Sequence, residues 1–179
     1  MVYVHLATGF EEVEALTVID LLRRADIEVK SVSITGEKRV MGTHNIPVEA
    51  DITFEEANYG ECEMIVLPGG LPGADYLGEH DGLTAQIRDF AANDKYLAAI
   101  CAAPMILGAK GYLDGRDATI YTGMEEHLGK AVWEGAKAVK LKYNVVENSD
   151  ISKDIKLLVA SKSDKAVTMA KKLASDYAH

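Results

Sequence analysis

The stretch from Tyr96 to Gly108 constrains the fold more than any other part of the chain. Tyr96–Ile100 is a short, mostly apolar run that predicts a buried strand, and a helical pattern begins directly after Cys101. Pro104 suits the first turn of that helix, where a backbone N–H is not needed. Alanines surround the cysteine, and such small neighbours allow the backbone to bend sharply. The stretch therefore predicts a strand-to-helix elbow that presents Cys101.

Two interpretations fit a cysteine at such an elbow, and the spacing alone leaves both open. In the first, the helix N-terminus lowers the pKa of the Cys101 thiol, and the backbone N–H of Ala102 stabilises a developing oxyanion. In the second, the cysteine is buried and packs as a small hydrophobic residue. Cys101 is thus a candidate nucleophile on the residues alone.

The beginning of the chain predicts a β-α-β unit. Val2–Ala7 is a short apolar run and Ile27–Ile34 alternates apolar and polar residues, so both are predicted strands. The helix predicted between them, over Glu11–Ala25, is expected to bury the residues that recur at helical spacing: Val13, Leu16, Ile19 or Val18, and Leu22. Glu11 and Glu12 in its first turn are expected to be solvated. Strands joined in this way are parallel and normally buried.

The rest of the pattern extends this unit into a larger sheet. Met64–Leu67 is the clearest central strand, and it ends in Pro68-Gly69-Gly70. The other expected elements are a small hairpin within 36–47, at most a short helix over 54–59, helices over 82–93, 102–111 and 164–177, and strands over 118–121, 139–146 and 155–160. Together they predict one domain over residues 1–179, an α/β three-layer sandwich with a flavodoxin-like, mostly parallel sheet and helices on both faces.

The predicted sheet also indicates where a ligand would bind. In open α/β sheets, ligands bind beyond the carboxyl ends of the strands. Three of these ends carry notable residues, namely Gly9–Glu14, Pro68–Gly70 and Cys101. We therefore expect the functional residues to lie in these three segments.

Composition excludes several classes of partner. The chain of 179 residues has 48% hydrophobic and 26% charged residues and a net charge of −9, which is typical of a soluble globular protein and unfavourable for binding nucleic acid or anionic membranes. Its apolar runs fall short of the roughly 20 residues of a membrane span. The first residues enter a strand directly and do not resemble a signal peptide. The two cysteines form no disulfide framework, so a reducing, cytoplasmic location is expected.

The cysteines and histidines give little sign of a metal site. Cys62 and Cys101 form neither a disulfide framework nor a metal-binding spacing, and the His, Asp and Glu residues show no ligand spacing either. No metal or cofactor is therefore expected. Cys62 lies among acidic residues, which should disfavour its thiolate, and His80 and His127 are expected at the surface.

Three segments, in this order and spacing, resemble the ThiJ/PfpI superfamily, a class I glutamine amidotransferase-like group. They are Gly9-Phe-Glu-Glu-Val-Glu-Ala15, continuing into Ile19–Ala25, then Ile65-Val-Leu-Pro-Gly-Gly70, and Ala98-Ala-Ile-Cys-Ala-Ala-Pro104. The similarity is strongest to the branch of the parkinsonism-associated protein deglycase and the bacterial ThiJ-type proteins. It extends over roughly residues 1–130.

This resemblance implies roles for particular residues. Cys101 would be the nucleophile, and Glu14 would be the carboxyl group that hydrogen-bonds to the thiol and carries a proton. Gly70 and Ala102 would supply backbone N–H donors to an oxyanion site, and the neighbouring Gly69 would let a ligand approach the backbone closely. The alternative for Glu14 is a solvated residue in the first helical turn.

The chain departs from the superfamily pattern at several points. Ala102 stands where the proteases and amidases have a histidine, and Tyr121 stands where the closer branch often has one. Tyr121 is either a hydrogen-bond donor in the pocket or a packed aromatic residue. His44 lies in the 36–47 excursion and would be a rim residue contributed to the partner subunit's site. The Gly-Pro-Gly loop before the last helix is replaced by Ala160-Ser-Lys-Ser-Asp-Lys165.

Two functions are compatible with these residues. The resemblance implies a cofactor-free enzyme of the glyoxalase III or deglycase type, in which Cys101 attacks a small carbonyl compound such as methylglyoxal or a glycated protein. The alternative is a non-enzymatic sensor of oxidative stress, or a chaperone, that uses an oxidisable Cys101. A peptidase or amidase is disfavoured by Ala102. A homodimer is expected from the resemblance alone.

Overall fold

A computed structural model of the chain describes residues 1–133. Predicted strands at 139–146 and 155–160, the predicted helix at 164–177 and the segment Ala160–Lys165 lie outside the described residues. The chain divides into two compact units, Met1–Ala98 and Ala99–His179. The expectation of a single domain over 1–179 stays a prediction.

The chain begins with a strand, a helix and a second strand, as the sequence predicts, and several short strands follow before the next helix. The strands are β1 (Val2–Leu6), β2 (Val29–Ser33), β3 (Arg39–Met41), β4 (Pro47–Glu49), β5 (Ile52–Thr53), β6 (Met64–Leu67), β7 (Tyr96–Ala99), β8 (Asp117–Ala118) and β9 (Val132–Trp133). The helices are α1 (Glu12–Arg24), α2 (Gly73–Glu79), α3 (Asp81–Ala92) and α4 (Pro104–Gly108), with a 3₁₀ turn at Glu125–Leu128.

The central sheet has five strands in the order β5-β2-β1-β6-β7. The β1–β2, β1–β6 and β2–β5 pairs are parallel, with Val2 opposite both Val29 and Met64. Every residue of β1 and β6 is buried, as expected for central strands of a parallel sheet covered on both faces. The predicted α/β fold with a mostly parallel sheet is confirmed.

Some predicted elements differ from those observed. The segment 54–59 forms turns after β5 rather than a helix, and α2 was not predicted. The hairpin in the 36–47 excursion is present as antiparallel β3 and β4, but it extends to Glu49. The strand expected at 118–121 is reduced to the two residues of β8. These misses fall on short elements, in which the hydrophobic pattern is too brief to distinguish a strand from a turn.

Helix α1 buries only part of the predicted face: Val18, Ile19 and Leu22 are buried as predicted, but Val13 and Leu16 are not. Val13 and Leu16 are 50% and 39% exposed, whereas the buried residues are Glu12, Glu14, Ala15, Val18, Ile19, Leu21 and Leu22. The prediction for Val13 and Leu16 was therefore wrong. The apolar spacing fits two overlapping stripes, and the helix is rotated so that two carboxyl groups enter the interior, where they find hydrogen-bond partners.

The core of the first unit packs large side chains against the sheet. Helix α3 contributes Leu83, Ile87 and Phe90, which recur at helical spacing and are fully buried. The fully buried side chains that they join are Tyr3, Leu6, Phe10, Ile65, Leu67 and Leu77. In the second unit, the backbone of Gly108 at the end of α4 lies so close to the carbonyl of His127 that a Cβ atom would collide with it, so this position requires glycine.

Candidate functional site

Cys101 lies two residues after β7 and adopts a backbone conformation that is rare for a side-chain-bearing residue. Its φ angle is +59°, in the left-handed region, which costs about 1–3 kcal/mol for a residue other than glycine. Its carbonyl oxygen accepts the backbone N–H of Tyr121 at 2.8 Å, and its side chain is half-buried. The chain thus holds a partly accessible thiol at a strained turn.

The helix after Cys101 is shorter and later than predicted. Residues 101–103 form a turn, closed by the Ala103 N–H to the carbonyl of Ile100 at 3.0 Å, and α4 spans only Pro104–Gly108. The turn over 101–103 takes the place of the first residues of the helix predicted after Cys101. Pro104 lies at the first helical position, as predicted. Helix α4 has only five residues, so its dipole at the N-terminal end is small.

Ala102 and Tyr121 have contrasting environments. Ala102 is 3% exposed, and its carbonyl accepts the N–H of Met105 at 3.1 Å. The side chain of Tyr121 is 58% exposed, so the interpretation of Tyr121 as a packed aromatic residue was wrong. The backbone of Tyr121, rather than its phenol, makes the hydrogen bond to Cys101. The proposed oxyanion role of Ala102 stays a prediction.

Glu14 is buried in the first unit and joins the segments that follow β1 and β6. Glu14 is only 5% exposed, and its Oε2 atom accepts the backbone N–H of Gly69 at 2.7 Å. In return, the carbonyl of Gly69 accepts the backbone N–H of Glu11 at 2.9 Å. The interpretation of Glu14 as a solvated residue was therefore wrong. Two of the three predicted strand-end segments are in direct contact.

Gly70 is required where these two segments meet. Its φ angle is +87°, and a Cβ atom there would collide with the backbone nitrogen of Glu11 and lie 2.6 Å from the carbonyl oxygen of Gly9. The structure thus uses this glycine for close approach of one backbone to another. Its predicted role as an oxyanion donor stays a prediction.

Glu12 and His44 form a second polar cluster that the sequence analysis did not foresee. Glu12 is 3% exposed, its Oε1 accepts the backbone N–H of His44 at 2.8 Å, and its Oε2 lies 2.8 Å from Nδ1 of the same residue. Gly42 makes room for this carboxyl, since a Cβ there would collide with it. The expectation that Glu12 is solvated was wrong. Local spacing does not predict this contact, because Glu12 and His44 are 32 residues apart and meet only where the loop after β3 lies beside α1.

The pairing shifts the pKa of both groups. The hydrogen bond to Glu12 and the nearby Glu11 raise the pKa of the exposed His44. Burial alone would raise the pKa of Glu12, but the hydrogen bonds to its carboxylate, from His44 above all, outweigh burial and lower it. His44 was expected at a rim contributed to a partner subunit, and within this chain its side chain contacts Glu12. The contribution to a partner stays a prediction.

Two other groups with strongly shifted pKa values lie deep in the first unit. Burial lowers the pKa of His5 to about 3, and its Nε2 lies 2.7 Å from the hydroxyl of Tyr59. Burial also raises the pKa of Cys62 to about 11, which agrees with the expected unreactive thiol, although the cause is mainly desolvation rather than acidic neighbours.

His80, expected at the surface, is half-buried and accepts the N–H of Leu83 at the start of α3.

Comparison with known proteins gives a consistent result. A model of the DJ-1/PfpI family matches residues 1–176. The chain is 29% identical to Protein dj-1beta of Drosophila melanogaster over 173 residues, covering 97% of this chain and 87% of that protein. It is 36% identical to Deglycase PfpI of Pyrococcus furiosus over 124 residues, covering 68% of this chain and 72% of that protein. The match covers only 28% of one Arabidopsis thaliana relative.

Solved structures agree with the fold. The structure of Toxoplasma gondii DJ-1, oxidized, matches with a TM-score of 0.77 and 27% identity, covering 99% of this chain and 98% of that one. Among residues 1–133, no helix has the length and apolar character needed to cross a membrane.

Proposed function

Because the chain belongs to the DJ-1/PfpI family, we propose that it is a cysteine-dependent, cofactor-free enzyme that acts on small reactive carbonyl compounds. Methylglyoxal is the simplest such substrate, and a glycated protein is a larger one. A relative carries the name Deglycase PfpI, which supports carbonyl chemistry of this kind. The small substrate and the absence of a cofactor requirement are parts of the proposal.

The observation that carries the proposal is the conformation of Cys101. A left-handed, non-glycine backbone persists only where the surroundings enforce it, and such positions cluster at functional sites. A cysteine that served only to fill space would not need a strained backbone, and a glycine would adopt this φ angle at lower cost. The half-buried side chain of Cys101 also remains accessible to a small molecule, unlike the buried Cys62.

The proposed reaction converts methylglyoxal and water to lactate with balanced atoms. The thiolate of Cys101 adds to the aldehyde carbon, and the carbonyl oxygen takes up a proton to give a hemithioacetal. A base removes the proton from the former aldehyde carbon, and a proton is added to the neighbouring, former ketone carbon. The hydroxyl proton passes from the former aldehyde oxygen to the former ketone oxygen, so the adduct becomes a thioester of lactate. Water then attacks the thioester, which releases lactate and returns the thiol.

Glu14 is the proposed proton carrier in these steps. Its carboxyl group is buried and oriented by the N–H of Gly69, which favours a defined position over a solvated one. The backbone N–H groups of Gly70 and Ala102 are the proposed oxyanion donors. Peptidase or amidase chemistry is not proposed, because Ala102 stands where the family resemblance places the histidine base of such enzymes.

Lactate formation from methylglyoxal, without glutathione and in the presence of a chelator, tests the proposal. Wild-type protein should turn over, Cys101→Ser should be inactive, and Glu14→Gln should lower kcat by at least about 100-fold. Cys62→Ser is the matched control and should retain activity, because Cys62 is buried away from solvent. Turnover that survives Cys101→Ser would overturn the mechanism.

A second function, sensing of oxidants by Cys101, is supported by one observation. A relative of the same fold was solved in a form described as oxidized. Peroxide should then add oxygen atoms to Cys101, and this reaction should persist in Glu14→Gln even if turnover does not. Oxidation of wild-type protein combined with no turnover of carbonyl compounds would favour the sensor over the enzyme.

Partners and location complete the proposal. We propose a homodimer in the cytoplasm that binds neither nucleic acid nor membranes, and the net charge of −9 supports the absence of such anionic partners. Light scattering after size exclusion tests the dimer, and a monomeric mass would overturn it.

A further inference from the structure

Glu11, Glu12 and His44 bring three potential metal ligands together in the first unit. One ligand atom from each residue lies within 4.8 Å of the others. Nδ1 of His44 is 2.8 Å from Oε2 of Glu12 and 3.7 Å from Oε1 of Glu11. The cluster combines an imidazole with two carboxylates, a ligand set suited to first-row transition metals.

The two separations from Nδ1 of His44 lie on either side of the ligand–ligand distance around a bound ion. Ligand atoms about 2.1 Å from a tetrahedral Zn²⁺ lie roughly 3.4 Å apart, between the two distances from Nδ1. An ion bound to Nδ1 would replace the proton that His44 now shares with Oε2 of Glu12. The carboxylates of Glu11 and Glu12, whose ligand atoms already lie within 4.8 Å of each other, would then close onto the ion.

The surroundings orient the ligands before any ion arrives. Oε1 of Glu12 already accepts the backbone N–H of His44, so the carboxylate is held with Oε2 facing the histidine. The side chain of Glu12 is 4% exposed, that of Glu11 is 23% exposed and that of His44 is 64% exposed. The cluster therefore has a buried base and an open mouth, through which an ion and water ligands can enter.

Charge also favours a divalent ion. Two carboxylates and a neutral imidazole carry a charge of −2, and a protonated His44 neutralises only half of it. A divalent cation neutralises the full charge of −2, and this matters most at Glu12, whose carboxylate is buried away from water. We propose that Glu11, Glu12 and His44 form a binding site for a divalent transition-metal ion of the Zn²⁺ class.

A bound ion would act on the structure rather than on the proposed chemistry of Cys101. It would tie the loop between β3 and β4 to the start of α1, next to the Glu11 backbone that is bonded to Gly69. Binding should therefore stabilise the first unit. The inference does not rest on the proposed function, and its test does not measure turnover.

The test is titration of the chelator-treated full-length protein with Zn²⁺ by calorimetry, and with Co²⁺ by visible absorption. Wild-type protein should bind one ion at this site, and bound Co²⁺ should show ligand-field bands. Glu11→Gln should weaken binding at least about tenfold, because it removes a ligand and leaves both hydrogen bonds between Glu12 and His44 in place. His44→Gln should do the same.

The control is His127→Gln. His127 is also exposed and lies 3.7 Å from a carboxylate, that of Glu126, but it has one acidic neighbour in ion-pair range rather than two. This variant should bind as wild type does. Failure of the wild-type protein to bind Zn²⁺, or equal binding by wild type and both ligand variants, would overturn the proposal. Thermal unfolding of each variant without metal checks that the fold is retained.

Discussion

The carboxylate of Glu14 accepts the backbone N–H of Gly69 at 2.7 Å and so links the first turn of α1 to the segment after β6. The same glycine returns a hydrogen bond through its carbonyl to the N–H of Glu11. A residue proposed to move protons is thus also part of the scaffold. Substitutions of Glu14 should affect stability as well as activity, and the two effects can be separated.

Glu14→Ala should destabilise the protein by about 1–3 kcal/mol, because the buried N–H of Gly69 loses its acceptor. Glu14→Gln should cost less, since an amide oxygen can accept the same hydrogen bond. Urea unfolding of both variants measures the difference. If the two substitutions cost the same, the Gly69 contact does not contribute as described.

Gly70→Ala should destabilise the protein more than Gly36→Ala. Both glycines have nearly equal φ angles, +87° and +83°. An alanine in this backbone conformation should therefore cost about 1–2 kcal/mol of stability at either position. A Cβ at Gly70 meets the backbone of Gly9 and Glu11, whereas one at Gly36 has nothing within 4 Å. The free energy of unfolding from denaturant titration compares them. Equal losses would show that the two segments can separate without cost.

Stability should fall as the pH drops below the ordinary pKa of histidine, and His5 should be a cause. Its pKa is lowered from 6.5 to about 3 by burial, so between these values the unfolded chain binds a proton that the folded chain does not. Unfolding is then favoured as pH falls, by up to about 1.4 kcal/mol per pH unit. Above pH 6.5 this contribution to stability is fully present.

Unfolding by urea at pH 7.5 and pH 5 tests the role of His5. His5→Gln removes the titrating group and should reduce the loss between the two pH values by about 2 kcal/mol. His127→Gln, at an exposed position, should lose as much stability as wild type. An unchanged pH dependence in His5→Gln would contradict the assignment.

Iodoacetamide at pH 7.5 should label the native protein at Cys101 and leave Cys62 unmodified. Cys62 is 1% exposed and its pKa is raised to about 11, so little thiolate is present and the reagent cannot reach it. Labelling should slow by more than about tenfold in Cys101→Ser and stay unchanged in Cys62→Ser, with mass spectrometry as the readout. Both cysteines should react in denaturant, and rapid native labelling of Cys62 would contradict its burial.

Local patterns in the sequence were sufficient for the main elements of the fold. The apolar runs at Val2–Ala7 and Met64–Leu67 predicted β1 and β6, because a strand buried on both faces is apolar throughout. The glycines and small residues near Gly70 and Cys101 predicted tight turns at the strand ends. Hydrophobic periodicity was less informative for α1, because its buried face includes the polar residues Glu12 and Glu14, which an apolar pattern does not identify.

The sequence by itself thus determined the parallel α/β architecture, the strand ends that carry the candidate residues, and the family resemblance. Only the tertiary structure decided which partner each buried polar group has. Glu14 lies 55 residues from Gly69, and Glu12 lies 32 residues from His44. Hydrophobic periodicity records the face on which a residue lies, but a hydrogen bond between distant segments depends on how whole elements pack. For this reason the sequence predicted a solvated Glu12 and a His44 at the rim of a partner's site, and it did not predict their contact with each other.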